Sequence, residues 1–157
     1  MKRKIRNPLR TFAAVLALAA GICLTNAAAF GDDDDACSVA SLKGSYGIQS
    51  TGSIVAFGPI GPIAEAGTIT FDGAGGVSQI TTVSIGGLGG QINANRTSLS
   101  GSYTVNADCT GDLAVILPVP GGTTTSTSHF VIVDHGKEIR LVNTGTGRVI
   151  VGNARKQ

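Results

Sequence analysis

Glu65 is the residue of this chain whose position could support proton chemistry. It falls on the apolar series of its segment, between Ile63 and Gly67, so a regular strand would point its carboxylate inward. A carboxylate buried without a partner can donate or accept a proton. A position at the rim is the favoured interpretation, because the segment has only just begun after Pro62 and glutamate is rarely buried unpaired. Glu65 is the one candidate catalytic residue, and it serves as such only if its carboxylate points inward.

The other residue types that often serve in catalysis lack the context they need. His129 and His135 are the only histidines of the chain, and two histidines do not form a zinc site by themselves. No serine lies in a Gly-x-Ser-x-Gly elbow that leads into a helix. The glycine-rich residues 73–76 and 86–90 do not open helices, so we interpret them as turns rather than phosphate-binding loops. The sequence predicts neither a metal nor a cofactor.

Residues 1–29 have the composition of a secretory signal peptide. Five basic residues precede an apolar stretch at 12–24, and small residues at 27–29 favour cleavage after Ala29. The stretch is shorter than the ~20 residues that a membrane span needs. We expect export to the periplasm or beyond, with no membrane span after cleavage. A retained anchor and lipidation at Cys23 are the alternatives, although Ile22 precedes Cys23 where a small residue is usual.

Removal of the leader changes the charge balance. The whole chain has a formal charge of +2, but five of its 12 basic residues lie in the leader, which leaves seven against ten acidic residues, or −3. Because no basic stripe remains, a nucleic-acid surface is not expected. Four consecutive aspartates, 32–35, lie in residues 30–42, which we interpret as a flexible acidic segment before a domain at 43–157.

Two cysteines remain after cleavage, Cys37 and Cys109. An even pair in an exported protein is normally a disulfide, and only one connectivity exists. The bond would tie the segment before the first strand to a turn in the middle of the sheet.

The remaining sequence has the pattern of β-strands separated by turns. Short runs rich in Val, Ile, Thr and Tyr recur about every 10 to 15 residues between Gly, Asn and Asp clusters, which is typical of an antiparallel all-β domain. The eight predicted strands are 46–56, 63–71, 77–85, 97–105, 112–119, 125–133, 138–143 and 148–153. Eight strands with short connections favour an up-and-down barrel, because closure removes unpaired edges. A two-sheet sandwich is the alternative, since it also places alternate residues inside.

Alternation along each strand predicts which side chains point inward. This series is mostly apolar and includes Val149 and Val151 on the last strand, while the opposite series is rich in Ser and Thr and is expected to face water. The candidate residues for lining a ligand in the lumen are Tyr46, Phe71, Gln79, Leu99, Tyr103, Leu117 and Phe130.

Four segments carry a resemblance to known proteins: residues 43–48, 67–76, 101–111 and 130–139, which read KGSYGI, GTITFDGAGG, GSYTVNADCTG and FVIVDHGKEI. Together they resemble a group of secreted bacterial proteins of uncharacterised function. The resemblance extends over residues 37–157 and implies a fold similar to the allene-oxide-cyclase-like or lipocalin-like small barrels. It implies no functional residues, and a barrel by itself implies no cyclase activity.

Three functions are compatible with these features. The first is a secreted module that binds a small apolar molecule in its lumen, which fits an apolar interior without a catalytic constellation. The second is a structural or surface protein whose core is filled and binds nothing. The third is a cofactor-free isomerase or cyclase in which Glu65 moves the proton.

Overall fold

The computed structural model describes residues 36–55, 60–87 and 92–157, and Ala36–Gln157 form one compact unit. The strands are β1 (Lys43–Ile54), β2 (Ile60–Asp72), β3 (Val77–Gly87), β4 (Ile92–Thr97), β5 (Ser100–Val105), β6 (Thr110–Val119), β7 (Gly122–Val133), β8 (Glu138–Asn143) and β9 (Arg148–Lys156). Single 3₁₀ turns occur at Val39–Ser41 and Asp134–Gly136. Within the described ranges, no helix has the length and hydropathy needed to cross a membrane.

All nine strands belong to one antiparallel sheet in the order β4-β3-β2-β1-β9-β8-β7-β6-β5. Every neighbour in the sheet is a neighbour in sequence except the pair β1 and β9, which runs in register from Tyr46 and Lys156 to Ile54 and Arg148. The sheet curls into a barrel-like shape, since its two edges, β4 and β5, are consecutive parts of the chain. The predicted all-β antiparallel fold is confirmed, and the single sheet excludes the two-sheet sandwich.

The prediction of eight strands is wrong by one, because the chain changes its pairing partner within the strand predicted at 97–105. The backbone N–H of Ser98 donates to Gln79 on β3, and that of Leu99 donates to Ile116 on β6, both at 2.8 Å. The side-chain alternation also shifts there: Arg96 points inward on β4, whereas Gly101 and Tyr103 point inward on β5. One strand by sequence pattern is therefore two strands in the sheet.

The sheet has two distinct ends. The lower end carries the connections β2–β3, β5–β6 and β7–β8, and the upper end carries β1–β2, β3–β4, β6–β7 and β8–β9. At the lower end β5 is joined to the β2–β3 turn, because Tyr103 N–H donates to the carbonyl of Gly75 at 2.8 Å and Gly76 bridges to Ser102. In the described residues β4 forms no backbone hydrogen-bonded pairing with β6, so the barrel is not closed towards the upper end.

Aromatic residues fill the lower end. The ring of Phe71 meets the rings of Tyr46 and Tyr103 edge to face, with centroids 5.4 and 5.0 Å apart. Both phenols are satisfied although buried: Tyr46 donates to the carbonyl of Gly136 at 2.6 Å, and Tyr103 donates to that of Val39 at 2.8 Å. Buried tyrosines normally need such acceptors. This end of the molecule is a packed core.

The segment before β1 closes the lower end. Leu42 is fully buried, and Cys37 forms a disulfide with Cys109 in the β5–β6 turn. The packed unit thus includes residues 36–42, which the sequence had placed in a flexible segment. The predicted signal peptide, its cleavage site and the aspartate run lie outside the described residues.

Three predicted inward residues face outward. Leu99 is 65% exposed because it still has the alternation of β4, in which odd-numbered residues face outward; the alternation shifts only after it, so that Tyr103 on β5 faces inward. Val149 and Val151 are also exposed, since the pairing of Ala154 with Ile48 fixes the opposite series of β9 as the inner one. Apart from these residues, the large predicted inward side chains of β1, β2, β3, β6 and β7 are buried, except Ile85, which is partly exposed.

Loss of the disulfide should destabilise the fold without changing it. In the double variant Cys37→Ser/Cys109→Ser we expect the free energy of unfolding to fall by about 2–5 kcal/mol, because the 72-residue separation is no longer constrained in the unfolded chain. Urea denaturation of the oxidised protein, the reduced protein and the variant measures this. The reduced protein is the control and should match the variant; equal midpoints for all three would contradict the role of the bond.

The two buried phenols should make stability depend on alkaline pH. Burial, and secondarily the nearby Tyr103, raises the pKa of Tyr46; burial, and secondarily the charge of Asp72, raises the pKa of Tyr103. The unfolded chain then loses these protons first, so this stability is complete below pH 10 and is lost as the pH rises above it. Urea midpoints between pH 8 and 12 should fall more steeply for the wild type than for Tyr46→Phe. Parallel profiles would refute this assignment.

Candidate functional site

A cluster of polar side chains lies inside the sheet, midway between its ends. Glu65 Oε1 accepts hydrogen bonds from Thr81 Oγ1 at 2.5 Å, from Gln79 Nε2 at 2.8 Å and from Arg96 Nη2 at 2.7 Å. Its other oxygen, Oε2, lies 3.3 Å from the hydroxyl of Ser50. Strands β1, β2, β3 and β4 each contribute to this cluster. The carboxylate therefore points inward, which agrees with the alternation of β2, whereas the sequence interpretation that favoured the rim is wrong.

Glu65 is not a lone buried acid, because Arg96 forms an ion pair with it. The two side chains are 12% and 15% exposed, so both charges are largely removed from water. Such a pair is maintained only when hydrogen bonds satisfy the remaining polar atoms. The carboxylate meets this condition, whereas Arg96 Nε is buried without a partner among the described residues.

The cluster borders a cavity of about 160 Å³ that extends from the middle of the sheet towards the upper end. The inward residues of β7 explain why space remains: Phe130 and Ile132 fill the lower end, whereas Ser126 and Ser128 follow on the same face towards the upper end. Small side chains at these positions cannot fill the lumen as aromatic rings do. The described lining also includes Ile48, Ile54, Ile63, Ile69, Ile85, Leu113, Val115, Leu117, Val119, Leu141 and Ile150.

The wall formed by β7, β8 and β9 is also polar near the upper end. Arg148, at the start of β9, donates from Nη2 to Thr124 Oγ1 at 3.1 Å. Asn143, at the end of β8, donates from Nδ2 to Ser126 Oγ at 3.0 Å. Arg148 and the Glu65–Arg96 pair thus face one cavity from different strands, within an otherwise apolar lining.

The structure divides the seven predicted lining residues into three groups. Gln79 and Leu117 line the cavity. Tyr46, Phe71, Tyr103 and Phe130 are buried instead in the packed lower core, where no ligand could reach them without displacing a ring. Leu99 lies outside, as described above.

Two functional residues were missed from the sequence, Arg96 and Arg148. Arg96 lies in β4, a strand whose residues Ile-Asn-Ala-Asn-Arg-Thr carry no apolar alternation. Arg148 lies on the inner series of β9, where apolar residues occupy both faces. The one available signal was their charge: a buried glutamate needs a cation, and few basic residues remain after the leader.

No second chemical site is evident in the described ranges. His129 pairs with Asp112 at 2.9 Å on the outer face, where both side chains are exposed, and no described serine hydroxyl bonds to this histidine. No group of three His, Cys, Asp or Glu residues among those described could hold a metal ion.

Comparison with known proteins gives no relative: no protein family, no curated protein and no solved structure matches this chain. The resemblance to the small secreted barrels therefore stays a prediction.

The Glu65–Arg96 pair should behave as a coupled unit in a double-mutant cycle. We expect Glu65→Leu to lower the free energy of unfolding by about 3–5 kcal/mol, because it leaves a buried guanidinium without a counter-charge. Adding Arg96→Met should recover at least about half of that loss. Urea denaturation of the two single variants and the double variant measures the coupling.

The pair of Arg140 and Glu138 on the outer face is the matched control, since the Arg140 side chain is 69% exposed. Arg140→Met should cost less than about 1 kcal/mol. Additive losses for Glu65→Leu and Arg96→Met would show that the buried pair is not coupled.

Proposed function

We propose that this protein is an exported binding module that holds a small molecule with an apolar body in the upper part of its lumen. The observation that carries the proposal is the 160 Å³ cavity, enclosed by strands whose inward side chains are mostly Ile, Leu and Val. Such a lining favours an apolar body, because contact with it removes apolar surface from water.

The size of the cavity limits the ligand. Cavities for drug-sized molecules measure about 300–1,000 Å³, whereas one of about 150 Å³ can hold benzene. The ligand would therefore have about six to eight heavy atoms. It is smaller than a long-chain lipid, and the packed lower core leaves no further room for a chain to extend.

Export supports the same proposal. The Cys37–Cys109 disulfide is compatible with an oxidising compartment outside the cytoplasm. A small binding protein there would meet small molecules before they enter the cell.

A catalytic role of Glu65 receives less support from the geometry. Oε1 already accepts three hydrogen bonds, one of them from a paired arginine, and Ser50 approaches Oε2. A general base needs an oxygen free to approach the substrate proton. The filled-core alternative is favoured only by the lower half, where aromatic rings occupy the interior.

Binding can be tested by NMR titration with 1-pentanol, a probe of six heavy atoms. We expect saturable amide shifts at residues that line the cavity, such as Leu117 and Ile63. Native mass spectrometry of protein purified after export would give the mass of a natural ligand that co-purifies with it. An absence of saturable shifts up to the solubility of the probe would refute the binding of a small apolar molecule in this cavity.

A cavity-filling variant locates the site. Ile150→Phe enlarges a lining residue and should weaken 1-pentanol binding at least tenfold, whereas Val149→Phe, on the exposed face of the same strand, should leave it unchanged. Leu117→Phe is a second filling variant if Ile150→Phe does not give a folded spectrum. Equal binding by both filling variants would place the pentanol site outside this cavity.

A further inference from the structure

We propose that the ligand of this cavity is a small organic anion, with a carboxylate recognised by Arg148. This inference rests on the proposed function and specifies the chemistry of its ligand. It is carried by the placement of three charged side chains and their partners.

The described lining of the cavity has an excess of positive charge. Three of its side chains are charged, namely Glu65, Arg96 and Arg148. Glu65 and Arg96 neutralise each other in a 2.7 Å ion pair. One positive charge therefore remains, in a space where surrounding apolar atoms reduce screening by water. A ligand that carries one negative charge would balance it.

Arg148 differs from the other arginines of the described chain in its partners. Arg96 pairs with Glu65, and both Arg140 and Arg155 pair with Glu138 on the outside of the sheet. Arg148 is partly buried and makes its side-chain hydrogen bond to a neutral hydroxyl, that of Thr124. A guanidinium carries five N–H donors, so donors remain for a carboxylate. No described carboxylate lies within ion-pair distance of Arg148.

A second donor is available in the same cavity, on β4. Arg96 Nε is buried without a hydrogen-bond partner among the described residues, which costs free energy unless an acceptor is supplied. The hydroxyl of Thr124 can also donate a proton. The cavity thus offers donors, and its one carboxylate is already occupied.

The apolar lining defines the rest of the ligand. Ile54, Ile85, Val119 and Ile150 share this cavity with Arg148. A tail of about four carbons would pack against them, within the limit of six to eight heavy atoms set by the volume. We therefore infer a short-chain monocarboxylate rather than a dianion or a sugar.

Three five-carbon probes of similar size test the sign of the ligand charge: pentanoate, 1-pentanol and pentylamine, titrated by NMR at pH 7 and low salt. We expect pentanoate to bind at least tenfold more tightly than 1-pentanol, because a charge-assisted hydrogen bond replaces a neutral one. Pentylammonium should bind most weakly. If none of the three binds, the proposed function fails; if 1-pentanol binds and pentanoate is no tighter, the anion inference alone fails.

Arg148→Met tests the residue. The affinity ratio of pentanoate to 1-pentanol should fall at least tenfold in this variant, because the charge that favours the anion is gone. Arg148→Lys keeps the positive charge but lacks the planar guanidinium, so it should retain part of the preference for pentanoate. Urea denaturation should first establish that each variant is folded.

Arg155→Met is the matched control. It removes the same charge from the same strand, but its side chain is 70% exposed on the outer face. The preference for pentanoate should persist in this variant. Equal losses in Arg148→Met and Arg155→Met would mean that net charge rather than a lumen contact selects the anion, and would overturn the assignment.

Discussion

The fold depends on one constraint: a single stretch of chain pairs with both β3 and β6. Ser98 is bonded to β3 and Leu99 to β6, so the edges of the sheet are brought together by consecutive residues. Since unpaired edges are costly and prone to aggregation, this arrangement also protects the sheet. The curl of the sheet, and therefore its lumen, follows from it.

The change of partner also separates the two halves of the interior. Below it, β5 is joined to the β2–β3 turn, and the rings of Tyr46, Phe71 and Tyr103 pack closely. Above it, β4 is paired on one side only, and its inward residue is a long arginine rather than an aromatic ring. The lower half supplies stability through burial and the disulfide, which leaves the upper half free to keep a cavity.

The polar interior of the upper half is compatible with this division. A buried ion pair seldom stabilises a fold as much as apolar packing of the same volume does. The Glu65–Arg96 pair is nevertheless held by donors from several strands, which fixes the position of the arginine in the wall. Arg148 has no such acidic partner in the described chain. The two arginines thus play different parts: one is fixed by the protein, and the other has donors left for a ligand.

The sequence by itself determined the antiparallel all-β fold and the disulfide, whereas it left the direction of Glu65 open. These depend on local alternation, turn residues and a count of cysteines, which can be read without knowing the strand neighbours. Only the tertiary structure decided that Arg96 faces Glu65, that Arg148 points inward and that Leu99 points outward. β4 has no apolar alternation, and β9 has apolar residues on both faces, so the inner side of each strand is set by its pairing across the sheet. The sequence likewise did not determine whether the lumen is filled. The filling depends on which side chains the small residues of β7 face across the interior once the sheet has curled.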